Sequence, residues 1–218
     1  MKKTILTRVL DLLYPPRCPF CQRLLKSSAD RLCPACRKRF EALPVGGYRR
    51  ELDGIRLTAA PFAYEGPVRE SLHRYKFGGV TAYARTYAEF IAKCIDENEI
   101  SCDIITWVPL SRRRLRKRGY DQARLLAEEL SQILHKPAEK LLVKRVDTKP
   151  QSGTGSAEKR RANAAGVYAC PQPDRIEGKR ILLVDDIVTT GATLCECAKM
   201  LHTAGAAEIC GVAVASRN

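Results

Sequence analysis

A chain of 218 residues, 45% hydrophobic and 28% charged, has the composition of a soluble globular protein and room for one sizeable core plus a small module, which excludes fibrous and fully disordered classes. No apolar run approaches the ~20 residues of a membrane-spanning helix. The formal net charge of +14, from 38 Lys and Arg against 24 Asp and Glu, points to an anionic partner or substrate, without choosing among DNA, RNA and a phosphorylated metabolite.

The opening stretch MKKTILTRVLDLLY reads as a short amphipathic helix, because Arg8 and Asp11 interrupt its apolar run and no small-residue cleavage site follows. It is not a signal peptide, and a cytoplasmic protein is expected. In that compartment the 10 cysteines are poor candidates for a disulfide framework. Their spacing says more. Cys18 and Cys21 form one C-x-x-C, Cys33 and Cys36 a second about a dozen residues on, and each knuckle can direct two thiolates at one tetrahedral Zn²⁺. Pro19 and Pro34 help fix those turns. Four thiolates leave no open coordination position, so the zinc is structural, stabilising a module too small to fold alone. Residues 1–46 are therefore expected to form a helix and a Cys₄ module, and residues 47–218 a second domain.

Ile55 to Tyr64 alternates as a strand, Val68 to Tyr75 reads as a short helix ending near Gly78 and Gly79, and Tyr83 to Ile95 as a longer amphipathic helix. The cluster His73, Arg74, Tyr75, Lys76, Phe77 interleaves basic and aromatic side chains, a pattern that suits single-stranded nucleic acid but more commonly marks an exposed basic helix end with its aromatics turned into the core. Asp103 to Leu110 is the next strand. After it, Arg112, Arg113, Arg114, Arg116, Lys117 and Arg118 place six cations within seven residues before Gly119, and Asp121 opens the helix DQARLLAEELSQIL. A cationic loop at the carboxyl end of a parallel strand lies on the ligand side of an α/β sheet and suits pyrophosphate or a nucleic-acid backbone alike. Leu141 to Val146 gives a further strand, and the Gly- and Ser-containing stretch after it, with Lys159, Arg160 and Arg161, reads as a mobile cationic lid.

The most informative stretch is ILLVDDIVTTGAT, Ile181 to Thr193. The apolar run Ile181 to Val184 suits a strand buried on both faces of a parallel sheet, and the carboxylates Asp185 and Asp186 stand at its end. Thr189, Thr190, Gly191, Ala192 and Thr193 then precede a helical stretch, so backbone N–H groups and hydroxyls gather at a helix N-terminus, where a phosphate binds. Adjacent acids can hold vicinal ribose hydroxyls, directly or through Mg²⁺. A phosphorylated ribose satisfies both halves, and these residues resemble the PRPP-binding motif of type I phosphoribosyltransferases.

In order, CPFC and CPAC, YKFGG, VPL followed by RGYDQA, the KPQ…EKRRAN stretch and LLVDDIVTTGAT resemble the ComF family of bacterial competence proteins and their GntX-type relatives. That resemblance covers nearly the whole chain and implies an α/β fold: a type I phosphoribosyltransferase-like parallel sheet flanked by helices, behind an N-terminal Cys₄ zinc ribbon. It further implies that Asp185 and Asp186 contact ribose or its metal, and that Thr189 to Thr193 hold the 5′-phosphate. Ser111 to Gly119, with Arg112, Arg118 and Gly119, would be the pyrophosphate loop, Lys76 a further ligand contact, and Thr148 to Asn163, with Arg161, the flexible loop. Asp121 stands where the family often has Asn, and Thr154-Gly155 replace an apolar residue common in the lid. The implied role is handling of single-stranded transforming DNA in the cytoplasm at the inner face of the membrane, with PRPP and Mg²⁺ as ligands and a helicase and the membrane uptake machinery as partners. The rival is an active phosphoribosyltransferase acting on a base or amine.

Overall fold

The computed structural model describes residues 15–27, 29–41, 43–145 and 166–217; the expected N-terminal helix and the Thr148 to Asn163 lid, with Arg161, lie outside them. In chain order the helices are α1 (Pro34–Glu41), α2 (Gly66–Phe77), α3 (Tyr83–Glu97), α4 (Arg112–Arg118), α5 (Gln122–Leu134) and α6 (Ala192–Thr203). The strands are β1 (Tyr48–Leu52), β2 (Ile55–Ala60), β3 (Phe62–Ala63), β4 (Ile104–Trp107), β5 (Val143–Lys144), β6 (Tyr168–Ala169), β7 (Arg180–Val188) and β8 (Glu208–Ser216).

Six strands make one sheet in the order β1–β2–β8–β7–β4, with β3 beside β8. Within it only the β1–β2 pair is antiparallel. The central strands are apolar on both faces, as a sheet covered on both sides requires. Leu182 and Val184 of β7 and Val212 and Val214 of β8 join one core with α3, α5 and the cysteine knuckles. Ile181 and Leu183, with Ile209 and Ala213, join the other, under α6. Helices α3 and α5 offer that first core apolar residues at helical spacing: Tyr87, Ile91 and Cys94, then Ala123, Leu126 and Leu130.

Several boundaries differ from expectation for identifiable reasons. Pro61 has no N–H to give to a ladder, so the strand expected over Ile55 to Tyr64 divides into β2 and β3, both still paired with β8. The strand expected from Leu141 is only β5, paired with β6, while Leu141 and Leu142 are buried outside it. Strand β7 runs past Val184 to Val188, because Asp185, Ile187 and Val188 continue the register opposite Ala213, Ala215 and Ser216. Strands β4 and β7 are parallel neighbours, with Trp107 opposite Val184, so the segments that follow them emerge along one edge of the sheet, the ligand edge of such folds.

The cysteine module shares the main core. Phe20, between the cysteines of the first knuckle, has its ring centroid 4.4 Å from Phe40 and 5.4 Å from Phe62 of the sheet. Phe20→Ala is therefore expected to lower the stability of the whole protein by ~3–5 kcal/mol, the usual loss for truncating a buried aromatic. Denaturant unfolding followed by far-UV circular dichroism checks this. A separate low-stability transition, with the main one unmoved, would contradict a shared core.

Candidate functional site

Four consecutive residues of α2 reach four different parts of the protein. Arg74 donates to the carbonyls of Pro19, at 2.8 Å, and Phe20, at 3.4 Å, in the first cysteine knuckle. Tyr75, fully buried, donates to the Gln122 carbonyl at 2.9 Å, and its own carbonyl accepts from the Tyr120 hydroxyl. Lys76 Nζ pairs with Asp186 Oδ1 at 2.9 Å, with the two side chains only 20% and 13% exposed. Phe77 is 61% exposed and lies under the Arg118 guanidinium, 4.9 Å from its ring centroid. The basic and aromatic side chains of the YKFGG stretch thus divide, with Tyr75 in the core and Phe77 at the surface.

Alternation along β7 sends the two acids to opposite faces of the sheet. Asp186 meets Lys76, on the α2 side. Asp185 lies on the side of Tyr168 and Cys197, whose ionisation its charge opposes. Burial first, then the charge of Asp186, pushes the Asp185 carboxyl up to about 8, although Lys76 and the Asp186 N–H, 2.7 Å from its Oδ1, pull the other way. Burial likewise raises Asp121, the third acid of this region. The role of Asp121 is structural. Its Oδ1 caps α5 by accepting from Arg124 N–H at 3.2 Å, and Oδ2 accepts from Leu110 N–H at 3.1 Å, fixing the exit from β4. An acid at this position is explained by the cap.

The loop from Thr189 to Gly191 ends at α6. Gly191 is its N-cap, with φ of 78°, a left-handed conformation that calls for glycine, and its α-carbon faces the end of the Leu52 side chain. The Thr190 hydroxyl accepts from Ala192 N–H at 3.4 Å. Thr189 is exposed, whereas Thr190, Ala192 and Thr193 are half-buried. A helix N-terminus of this kind presents N–H groups to an anion.

The expected cationic loop from Ser111 to Gly119 is instead a short helix, α4. Ser111 caps it by accepting from Arg114 N–H at 3.3 Å, and Gly119, in the left-handed conformation, closes it with an N–H bond to the Leu115 carbonyl at 2.8 Å. Helical spacing then separates the cations. Arg114, Lys117 and Arg118 join Lys76, Phe77 and Tyr120 around a cavity of about 400 Å³. Arg118 also donates to Gln122 Oε1 at 2.8 Å. Arg112, Arg113 and Arg116 are exposed and stand outside that lining. Lys76 is the residue common to the cavity and the acid pair, while Arg112 and Arg118, expected to act together, stand in different places.

Three residues near this region carried no motif. Tyr168 sits close to Asp185, and Lys144 lies over its ring, 5.2 Å from the centroid. Arg50 of β1 donates to the Thr189 carbonyl across a sequence separation of 139. No local pattern could have found these contacts, because each depends on pairing between distant segments.

In the cysteine module that Arg74 contacts, the sulfurs of Cys18, Cys21, Cys33 and Cys36 lie within 4.8 Å of one another. Zn–S bonds of about 2.3 Å place tetrahedral sulfurs at such separations. Burial, then the sulfurs of Cys21 and Cys18, push the Cys36 thiol well up, so the cluster ionises fully only around a cation. The donor set fits structural zinc.

Residues 9–46 match the double zinc ribbon domain and residues 121–218 the phosphoribosyl transferase domain. Fold and site thus define a phosphoribosyltransferase-like domain carrying a zinc ribbon. Over 215 residues the chain is 31% identical to competence protein F of Haemophilus influenzae, with 88% of this chain and 93% of that protein covered. Similarity extends to competence protein ComFC of Bacillus subtilis, 28% identical over 92% of this chain and 84% of the relative. It extends also to DNA utilization protein YhgH of Escherichia coli, 27% identical over 88% and 86%. The chain belongs to the ComF family of competence proteins.

Metal analysis of zinc-replete protein is expected to give about one zinc per chain, and Cys33→Ser to bring that well below half. A second expectation concerns pH. Asp185 holds its proton in the folded state up to about 8 but loses it near 3.8 when unfolded, so folding stability falls as pH rises between those values. Asp185→Asn should remove that fall and raise stability at neutral pH by ~1–3 kcal/mol. Urea titrations at pH 4 through 9 measure it, and an unchanged pH dependence would contradict the protonated acid.

Proposed function

We propose that this protein handles single-stranded transforming DNA during natural transformation, using a phosphoribosyl site that binds PRPP with Mg²⁺ as ligand or regulator without consuming it. The observation that carries this reading is the continuity between two chemistries. Lys76 pairs with Asp186 and also lines the cavity of Arg114, Lys117, Arg118, Phe77 and Tyr120. An exposed aromatic ring flanked by cations suits single-stranded DNA, where bases stack and phosphates pair. The names of the relatives, competence protein and DNA utilization protein, support the biological setting.

Asp185 and Asp186 are the oxygen donors suited to Mg²⁺ or to ribose hydroxyls, and Thr189, Thr190, Gly191, Ala192 and Thr193 supply the 5′-phosphate site. Mg²⁺ bound there would offset the charge of the pyrophosphate group. Arg114, Lys117 and Arg118 would face that pyrophosphate, and Arg112, Arg113 and Arg116 the DNA backbone. The protein would act in the cytoplasm, at the inner face of the membrane, through a helicase and the uptake machinery. Among the described residues no helix is long and apolar enough to cross a membrane.

The acid pair beside a cationic cavity also favours a second reading, a Mg²⁺-dependent phosphoribosyltransferase in which a base or amine attacks C1 of PRPP and pyrophosphate leaves. The same cations would stabilise the leaving group. Against it stands the want of an assignable acceptor contact among the described residues, and fold alone does not establish turnover.

Titrating a fluorescent single-stranded oligonucleotide at several salt concentrations tests the first reading. Replacing Arg112, Arg113 and Arg116 with Gln should weaken binding and reduce the logarithmic salt slope by roughly 2, since each phosphate contact on a single strand contributes about 0.7. An unchanged slope removes α4 from the interface. Pyrophosphate release from PRPP that is abolished by Asp185→Ala, together with no DNA affinity at physiological salt, would establish the second reading instead.

A further inference from the structure

We infer that Arg50 is a positioning residue for the 5′-phosphate, holding the Thr189–Gly191 loop in its anion-binding conformation; this rests on the phosphoribosyl reading of that loop. Strand β1 is an edge strand, separated from β7 by β2 and β8. Arg50 nevertheless spans that gap. Its Nη1 donates to the Thr189 carbonyl and, at 3.2 Å, to the Arg217 carbonyl, while Arg217 N–H donates to the Val188 carbonyl at 2.8 Å. One guanidinium thereby ties together the edge hairpin, the end of β8 and the first residue of the phosphate loop.

The chemistry of an anion loop explains why this tie matters. A peptide unit can offer its N–H to a phosphate only if its neighbours' carbonyls are turned away, because an inward carbonyl opposes the anion. Here a cation engages the Thr189 carbonyl, orienting that peptide and adding positive charge beside the loop. Leu52, two residues along the same strand, supplies the packing half of the arrangement. Its side chain packs beside Gly191, where an added Cβ would stand 2.4 Å from Leu52 Cδ2, so the hairpin meets the loop at both ends. A purely structural staple could have used any donor of similar length, or an apolar contact. A permanently charged guanidinium on two carbonyls, at the rim of a site for a dianion, is the arrangement that serves the ligand as well as the fold.

Arg50 differs in this from Arg114, Lys117 and Arg118 of α4. Those line a separate cavity with Lys76, where pyrophosphate is the matching anion. Losing Arg50 should therefore act on the phosphate half of a ligand and leave the pyrophosphate half alone.

Isothermal titration of the zinc-loaded full chain with ribose 5-phosphate and, separately, with pyrophosphate tests this. Arg50→Ala is expected to weaken ribose 5-phosphate binding about tenfold, the order of one charge-assisted hydrogen bond, with pyrophosphate affinity within about twofold of the parent. Arg50→Lys, which keeps the charge and a donor, should recover part of the loss. Melting temperature and zinc content of both variants report folding. Equal loss of both ligands with a lowered melting temperature would mean that Arg50 only supports the fold, and unchanged ribose 5-phosphate binding by Arg50→Ala would overturn the inference outright. If the parent protein binds pyrophosphate but not ribose 5-phosphate, the phosphoribosyl reading of the loop fails, and the role of Arg50 with it.

Discussion

The ion pair between Lys76 and Asp186 depends on where Tyr75 is held, and much of the rest of the structure meets at that point. Tyr75 is fully buried and bonded at both its hydroxyl and its carbonyl, so the last turn of α2 cannot rotate without breaking core contacts. With that turn fixed, the 100° step between successive helical residues sends Arg74 towards the zinc ribbon, Lys76 to the acid of β7 and Phe77 to the cationic cavity. Each contact alone is modest. Together they make a shielded ion pair whose geometry is set by packing, so neither side chain loses much further freedom in forming it. Removing either partner of such a shielded pair would leave an uncompensated buried charge, which is costlier than losing an exposed pair.

Charge is distributed unevenly across this edge of the sheet. Asp121, Asp185 and Asp186 lie close enough for their charges to oppose one another, Lys76 links Asp186 to the cationic cavity, and burial with that repulsion pushes the Asp185 and Asp121 carboxyls up. A ligand that presents hydroxyls or a bound cation at one end and several negative charges at the other matches that dipolar arrangement, as a phosphorylated, pyrophosphorylated ribose does. The repulsion between these acids is offset by Lys76, which pairs with Asp186, and it favours the protonated form of Asp185.

The central strand β7 and the Cys₄ cluster are legible in the sequence because each rests on a local pattern: an apolar run for β7, paired C-x-x-C spacing for the knuckles. The acids and the Thr/Gly loop are legible for the same reason. The Arg112–Arg118 segment reads as a loop because six cations carry no apolar periodicity, and its helix is fixed by Ser111 and Gly119, small caps that are easily overlooked. Asp121 reads as a departure in the ligand region, and only its two backbone bonds identify it as a cap. Arg50, Tyr168 and Lys144 are invisible to any local pattern, since their positions follow from strand order and from pairing between segments far apart in the chain.

Helix α4 also bears on which anion the protein meets. Cations in the last turn of a helix are favoured by the aligned peptide dipoles, but Arg112 and Arg113 occupy the first turn, where positive charge is opposed. A seven-residue helix carrying that penalty and mutual repulsion gains little stability from its own sequence, and it buries no residue. The unfavourable charges are offset when an anion binds. One pyrophosphate can engage Arg114, Lys117 and Arg118 within the cavity, yet Arg112, Arg113 and Arg116 lie outside it. A polyanion that passes over the helix would neutralise both sets, so the distribution of these side chains, more than their number, is what supports the proposed nucleic-acid reading.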